Sequence, residues 1–447
     1  MGNKNKHCSW LSINSSTGQV TVLPQELYRH LKDSKKLYVT DKGGIVTFCD
    51  GIYTRLSMQL LKAFIKDNLP IELRQKRHWE AVLEEFKTDF PDIREADFND
   101  NERYVVLNNG VLDMKTGNVE AYSEKYLYTR KINANYLPGK NLEDAPVFRQ
   151  FLDDMLPDGH LTWTFLLEFI GIVLSNVKGW RFKKMLMLVG PGNTGKSKLR
   201  ELVISLIGEE NSASIDLKKL NERFGTSVVY GKRLAGSGDM SYMQISEMDI
   251  VKELVGGDQL LCEFKGKNAF QFRYDGLIWC NANKLPYFRG DRGEHVYERF
   301  CIVECGTVIS EEKRDPQLLD KLLQEKDVIV SIALDHAREA IKRGYRFTES
   351  EDMTIAREQY VIENNSLLTF VKELCTMDGG PTKRAEFNKI YRVWCAENNV
   401  QPERLRDIGK QLAAIGITAY KSRGIFHYPL SIDDDFTNYA LNDKKYY

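Results

Sequence analysis

Residues 185–202 read MLMLVGPGNTGKSKLREL, an apolar run, a glycine-rich turn and a helix-forming stretch. Within it, Gly190-Pro191-Gly192-Asn193-Thr194-Gly195-Lys196-Ser197 satisfies G-x-x-x-x-G-K-[ST], and the strand before and helix after are the context that pattern requires. Glycines let successive backbone N–H groups turn inward onto phosphate oxygens, and the helix N-terminus adds partial positive charge. In such a loop Lys196 reaches the β- and γ-phosphates and Ser197 ligates Mg²⁺, so ATP and Mg²⁺ are the expected cofactors. A chance Gly-rich turn is the competing reading, and the flanking elements weigh against it. The loop alone does not separate kinases, GTPases, motors and switches.

Working outward, 447 residues suggest roughly three domains at about 150 each. Residues 180–347 alternate apolar strands (MLMLV, RLAGS, LIWCN, RFCIV) with helix-like segments, as a three-layer α/β domain does. Residues 1–179 predict an α+β module with a helical part near 145–179. There, 36–56 reads as two strands around Asp41-Lys42-Gly43-Gly44, and 103–122 as a hairpin with Asn-Gly and Thr-Gly turns. Residues 348–365 are polar and helix-prone, the character of a semi-rigid linker. In 366–447, three segments of helical spacing precede ITAYKSRGIFHYPL, a two-strand wing turning at Arg423-Gly424, which predicts a winged helix.

Lys+Arg 63 against Asp+Glu 63 excludes a histone-like binder working by bulk charge, but leaves room for a local basic channel. Eight cysteines without a C-x-x-C fit a reducing cytoplasm, that of a bacterial host in the reading developed below. Cys301 and Cys305 are the closest pair, and no matching His or Cys lies near to complete a zinc site. The start MGNKNKHCSW carries no apolar stretch or lipidation pattern. The run Leu161 to Val177 is broken by Glu168 and too short to span a bilayer, so no membrane role is expected.

Downstream of the loop the chain reads RFGTSVVYGKRLAGSGDMS, then VKELVGGDQLLCEFKGKNAFQF, then LIWCNANKLPYFRGDRGEHVYERFCIVEC. Their order resembles the superfamily 3 helicases, in the branch of phages, plasmids, poxviruses and mobile genetic islands. Within it the chain is similar to replication initiators of staphylococcal pathogenicity islands. GVLDMKTG and EFIGIVLSN are similar to the module that precedes the ATPase there. The resemblance implies an α/β fold: a P-loop AAA+-like core, an N-terminal α+β module, a C-terminal winged helix, and a hexameric ring of identical subunits.

Carried over residue by residue, Asp239 matches the Walker B acid that holds Mg²⁺ through water, with a helix-capping Asp as its bland alternative. Neither neighbour, Gly238 nor Met240, is acidic, so the general base is open, with Glu247 a possible substitute. Asn283 matches the polar sensor of the γ-phosphate, with Asn281 as fallback on the same strand face. Arg299 matches an arginine finger offered to a neighbouring subunit, with Arg292 the runner-up and a surface ion pair with Glu298 or Glu294 the alternative. Asn283-Lys284-Leu285-Pro286 also begins like a guanine-binding motif, but Pro286 stands where that motif needs a carboxylate.

Lys265-Gly266-Lys267 between short apolar strands forms a cationic hairpin tip, which in the resembling family grips the phosphates of single-stranded DNA. Lys383, Arg384, Lys389 and Arg392 on one helix, Arg404, Arg406 and Lys410 on the next, and Lys421 and Arg423 in the wing suit duplex DNA, such as a replication origin. The acidic stretch Asp433 to Asp435 speaks for a protein-interaction domain instead. Without a convincing D-x-D before the loop, primer synthesis is not expected. The leading expectation is an ATP-driven DNA helicase that initiates replication of a mobile element. An ATP-switched assembly protein is second, and a small-molecule kinase last.

Overall fold

A computed structural model describes residues 8–442 apart from 158, 241–243, 246–247, 289–293 and 399. The four apolar runs of the central region become strands and recruit a fifth. β1 (Met185–Val189), β2 (Ser212–Ser214), β3 (Leu234–Gly236), β4 (Leu277–Ala282) and β5 (Phe300–Glu304) form one parallel sheet in the order β2-β3-β4-β1-β5. Because strand side chains alternate, β1, β3, β4 and β5 each feed two cores. Leu186, Leu188, Leu277, Trp279, Cys301 and Val303 enter one, and Met185, Met187, Ile278, Cys280, Phe300 and Ile302 the other.

Around the sheet lie α1 (Pro146–Met155), α2 (His160–Leu174), α3 (Lys196–Ile207), α4 (Asp249–Gly256), α5 (Lys326–Lys342) and α6 (Glu351–Glu363). The first core receives α1, α2, α3 and α5; the second receives α4 and most of the buried face of α6. α2 and α5 meet closely because Gly171 has no side chain: a Cβ there would stand 2.0 Å from the Ala333 carbonyl oxygen. The buried Glu168 side chain on α2 accepts from Arg343, Thr348 Oγ1 and the Thr348 N–H, so a carboxylate inside an apolar helix is paid for by three donors.

The helical part near 145–179 therefore shares its core with the sheet, and with Val105, Leu107, Leu112 and Met114 of the 103–122 hairpin, rather than with the α+β elements before residue 90. Those elements have a separate core of Leu27, Leu31, Leu61, Ile65, Val82 and Phe86. Residues 36–56 form three strands (Leu37–Val39, Ile45–Cys49, Ile52–Arg55) rather than two, since Asp50 and Gly51, both at positive φ, turn the chain once more. A second meander, Tyr104–Leu107, Gly110–Asp113 and Val119–Glu120, follows.

Residues 348–365, expected to act as a linker, instead form α6 packed on β5, with Met353, Ala356 and Tyr360 buried. Beyond it, α7 (Ser366–Leu374), α8 (Arg384–Glu397) and α9 (Leu405–Ala414) pack with strands β6 (Cys375–Lys383), β7 (Tyr420–Ser422) and β8 (Ile425–Ile432), in the antiparallel order β6-β8-β7. Phe370, Phe387, Tyr391, Leu412, Tyr428 and Leu430 fill this core. Lys383 ends β6 and Arg404 caps α9, so neither lies within a helix as the spacing suggested. Asp433 of the acidic stretch caps the helix Asp434–Asn442, accepting from the Phe436 N–H at 2.8 Å. Among the described residues no helix is long and apolar enough to cross a membrane.

Candidate functional site

Chain order across the sheet reverses at β1, and in open α/β sheets ligands bind outside the carboxyl ends of the strands at that switch point. There β1 runs into Gly190, whose φ is +147°. A Cβ on it would stand 2.1 Å from the carbonyl oxygen of Cys305, so the turn into the loop requires glycine. Gly195, at φ +93°, swings the chain into α3, whose first residue is Lys196.

Lys196 is only 7 % exposed. Its Nζ donates to the carbonyls of Gly190 at 2.8 Å and Pro191 at 2.6 Å and to Thr194 Oγ1 at 3.0 Å, all within its own loop. Burial lowers its pKa from the ordinary lysine value, and Cys305 and Asp239 act in the opposite direction. An ammonium desolvated to this degree and satisfied only by two carbonyls and a hydroxyl, all neutral, gains from exchanging them for an anion.

A cleft of about 320 Å³ opens over the loop, and Lys196, Ser197, Asp239, Asn281 and Asn283 line it. Lys196, Ser197, Asp239 and Asn283, all singled out from sequence, thus come together with residues 192–195 of the loop, and so does the fallback Asn281. Asp239 and Asn283 are exposed at strand ends, whereas Asn281 is 1 % exposed. The Asn281 side-chain Oδ1 accepts from Trp279 Nε1 at 2.8 Å, which fixes the amide, and its buried Nδ2 has no hydrogen-bond partner. Backbone bonds latch the two turns together: the Met240 N–H donates to Asn281 O at 2.8 Å and the Asn281 N–H to Ser237 O at 2.9 Å.

These features fit a nucleotide and its metal: a glycine cradle, a helix N-terminus, a desolvated lysine, a hydroxyl and a carboxylate at one mouth, and an orphaned donor. Among the described residues lining the cleft, Asp239 is the one carboxylate. Glu247 and Arg292 lie outside the described residues. Sequence reasoning missed Arg200, a buried guanidinium on α3 that donates to Gly236 O at 2.9 Å and so braces the turn carrying Asp239. A charged helix residue reads as surface, and only the sheet above α3 reveals otherwise.

Arg299 is not brought to this cleft. It precedes β5, and its carbonyl accepts from the Met185 N–H at 2.8 Å, at the amino end of β1. Five strand residues at about 3.3 Å each put it roughly 13–16 Å from the loop's start. The half-buried Arg299 side chain runs beside the end of α4, near Gly256.

Elsewhere, Lys265 and Lys267 stand exposed at the tip of the antiparallel pair Leu260–Cys262 and Phe270–Phe272, turned by Gly266 at φ +76°. Phe264 stacks on Phe270 with centroids 6.2 Å apart, and Tyr230 meets Phe270 edge-on at 5.1 Å, which stiffens the base of the tip. In the C-terminal part, Arg384 and Lys421 both lie over the exposed Phe426 ring, 5.8 and 5.6 Å from its centroid. Arg423 and Gly424, both at positive φ, make the two-residue turn between β7 and β8. Lys383, Arg404 and Arg406 are exposed, while the Lys389 ammonium reaches the Leu441 carbonyl.

Residues 22–157 match a family described as "D5 N terminal like", and residues 188–299 a family of unknown function (DUF5906). Over 341 residues the chain is 20% identical to a protein of Invertebrate iridescent virus 3 named "Putative helicase 121R". That match takes in 68% of this chain and 35% of the viral protein, so the chain spans about a third of its relative's length. Among solved structures, an apo form of the NrS-1 C-terminal region superposes with a TM-score of 0.51 at 11% identity, covering 91% of this chain and 98% of that one. The chain is therefore related to a viral protein named for helicase activity, and shares its fold with the NrS-1 C-terminal region.

Proposed function

We propose that the chain is an ATP-dependent DNA helicase of the superfamily 3, primase-helicase type. In this reading it initiates replication of a mobile genetic element and moves on single-stranded DNA as a homo-oligomeric ring. The observation that carries the proposal is the convergence of Lys196, Ser197, Asp239, Asn281 and Asn283 in one cleft at the switch point of a parallel sheet. The strand order supports a P-loop AAA+-like core, because the loop strand β1 runs between the strand leading to Asn283 and the one that Arg299 precedes. The helices and antiparallel sheet beyond residue 366 support a winged helix.

Mg²⁺, held by Ser197 and through water by Asp239, would supply charge neutralisation between the phosphates. Lys196 would exchange its loop carbonyls for phosphate oxygens. Asn281 and Asn283 would donate to the terminal phosphate or orient the attacking water. Arg299, too far from its own loop, would serve the nucleotide of an adjacent subunit, and a hexamer is the ring the resemblance implies. Lys265 and Lys267 would contact single-stranded DNA, and Lys383, Arg384, Arg404, Arg406, Lys421 and Arg423 the origin duplex.

The test is strand displacement on a forked DNA bearing a 3′ tail, with ATP and Mg²⁺, for the wild type and Lys196→Ala. Unwinding by the wild type alone supports the motor. A second reading, an ATP-switched assembly protein, is favoured by Asp239 being the single carboxylate among the described residues that line the cleft. It expects DNA binding without unwinding, and slow hydrolysis indifferent to single strands.

A further inference from the structure

Arg233, the residue before β3, is 2 % exposed. Its guanidinium closes the carboxyl end of α2: Nη2 donates to Ile172 O at 2.6 Å and Val177 O at 3.0 Å, and Nη1 to Asp275 O at 2.6 Å. These acceptors are backbone carbonyls and carry no net charge. Arg130 meets it from the N-terminal part of the chain. Its Nη2 donates to Asn176 Oδ1 at 3.2 Å, and its Nε is buried without a hydrogen-bond partner. The two cations line one small cavity of about 10 Å³, together with Val105, Val106 and Ile207. Asp275 is the carboxylate that acts on both charges, but Lys178 Nζ at 2.8 Å and Trp180 Nε1 at 3.2 Å hold it, and it pairs with neither guanidinium. Burial lowers the pKa of Arg130 and the Arg233 charge lowers it further, the direction expected of two buried cations that share a space without a counter-ion.

Buried charges are stable when paired, and an unpaired buried donor carries a further cost. A water would satisfy the Arg130 Nε–H but leave both positive charges unopposed. A cavity of this size admits one atom-sized guest and no polyatomic anion such as phosphate, sulfate or a carboxylate. We propose that the cavity between Arg130 and Arg233 is a halide site, occupied by one chloride ion that accepts from Arg130 Nε and sits between the two charges. The ion ties together three parts of the chain that line the cavity: the meander strand Tyr104–Leu107, the carboxyl end of α2, and the carboxyl end of α3, whose other end carries the phosphate loop.

The experiment follows thermal unfolding of the full chain in about 0.3 M sodium chloride, sodium bromide or sodium gluconate, so that ionic strength is constant and only the size of the anion changes. The wild type is expected to unfold about 2–4 °C higher in either halide than in gluconate, with the gain saturating as chloride replaces gluconate. Arg130→Met keeps the length of the side chain and removes both the cation and the orphaned donor. It should lose the halide gain, and in gluconate it should be at least as stable as the wild type, because the repulsion between the guanidiniums is gone. A merely structural Arg130 would be missed equally in every salt. Lys196→Ala, which removes the cation of the phosphate loop, should keep the full gain. The site is overturned by a wild type indifferent to halide, as a cavity holding only water gives, by an Arg130→Met chain that keeps the gain or is destabilised equally in each salt, or by loss of the gain in Lys196→Ala. Should Arg130→Met fail to fold, the wild-type titration and Lys196→Ala decide between these outcomes.

Discussion

Replacing Asn281 separates a functional donor from a structural one. In Asn281→Ala two buried terms change with opposite sign. The Trp279 indole loses its acceptor at 2.8 Å, and leaving a buried N–H unpaired costs about 1–3 kcal/mol. The same change deletes the orphaned Nδ2, which carries a penalty of similar size, about 1–3 kcal/mol. The net effect on unfolding is expected within about 1 kcal/mol of zero. Turnover has no such compensation. A hydrogen bond to a charged phosphoryl oxygen is worth about 1.5–3 kcal/mol, which corresponds to roughly 10- to 150-fold in rate. Asn281→Asp keeps the acceptor for Trp279 but replaces the donor with a buried carboxylate oxygen facing the phosphates, so it should lose turnover as well. The assays are urea unfolding followed by tryptophan fluorescence, and single-strand-stimulated phosphate release. Asn283→Ala is the companion, because Asn283 is exposed and its loss should scarcely alter stability. If Asn281→Ala unfolds by more than about 2 kcal/mol and its folded fraction turns over normally, Asn281 is only a strut for Trp279 and the reasoning fails.

Lys196→Ala and Arg299→Ala should each abolish hydrolysis alone, yet on mixing recover up to about a quarter of wild-type activity, the random share of interfaces that pair an intact loop with an intact finger. No recovery, with oligomers intact, removes Arg299 from the neighbouring site. Lys265→Ala with Lys267→Ala should lower the slope of log affinity against log salt for single-stranded DNA by about 0.7 per lysine, and an unchanged slope would place DNA elsewhere. Burial pushes Cys301 and Cys305 up to about 12, so at pH 8 the native protein should take iodoacetamide at the exposed Cys49 first and leave those two unmodified, as peptide mass mapping would read. The Arg103 guanidinium holds the buried Asp113 carboxyl well below the usual range. Its stabilising effect is therefore present above the ordinary carboxylate pKa and lost as pH falls, and Asp113→Asn should flatten the acid side of a stability profile measured by urea midpoint.

What could be read from sequence was what neighbouring residues determine. The phosphate loop is eight consecutive residues, and four sheet strands are largely apolar runs, so both were legible. The boundary at 179 was not, because the evidence of a shared core lies in contacts such as Gly171 against Ala333, more than a hundred residues apart. The fixed amide of Asn281 depends on Trp279 two positions earlier on the same strand face, which is local, but its burial depends on the sheet order, which is not. Arg200 follows the same logic: its helix was predictable, and the Gly236 carbonyl it meets was not.

The segment read as a linker carries the sharpest consequence. Its polar composition hid three buried side chains, Met353, Ala356 and Tyr360, at positions one helix face can hold. Tyr360 donates to the Pro286 carbonyl at 2.6 Å, three residues past Asn283, and Asn364 donates to the Tyr297 hydroxyl at 2.8 Å, two residues before Arg299. The next residue, Asn365, caps α7 by accepting from the Leu367 and Leu368 N–H groups. A tether transmits nothing, whereas breaking a buried hydrogen bond costs about 1–3 kcal/mol. Movement of the C-terminal part on α7 therefore pulls on a helix bonded to the chain beside both Asn283 and Arg299. Both bonds leave the carboxyl end of α6, four residues apart, so one displacement of that end reaches the chain beside both residues.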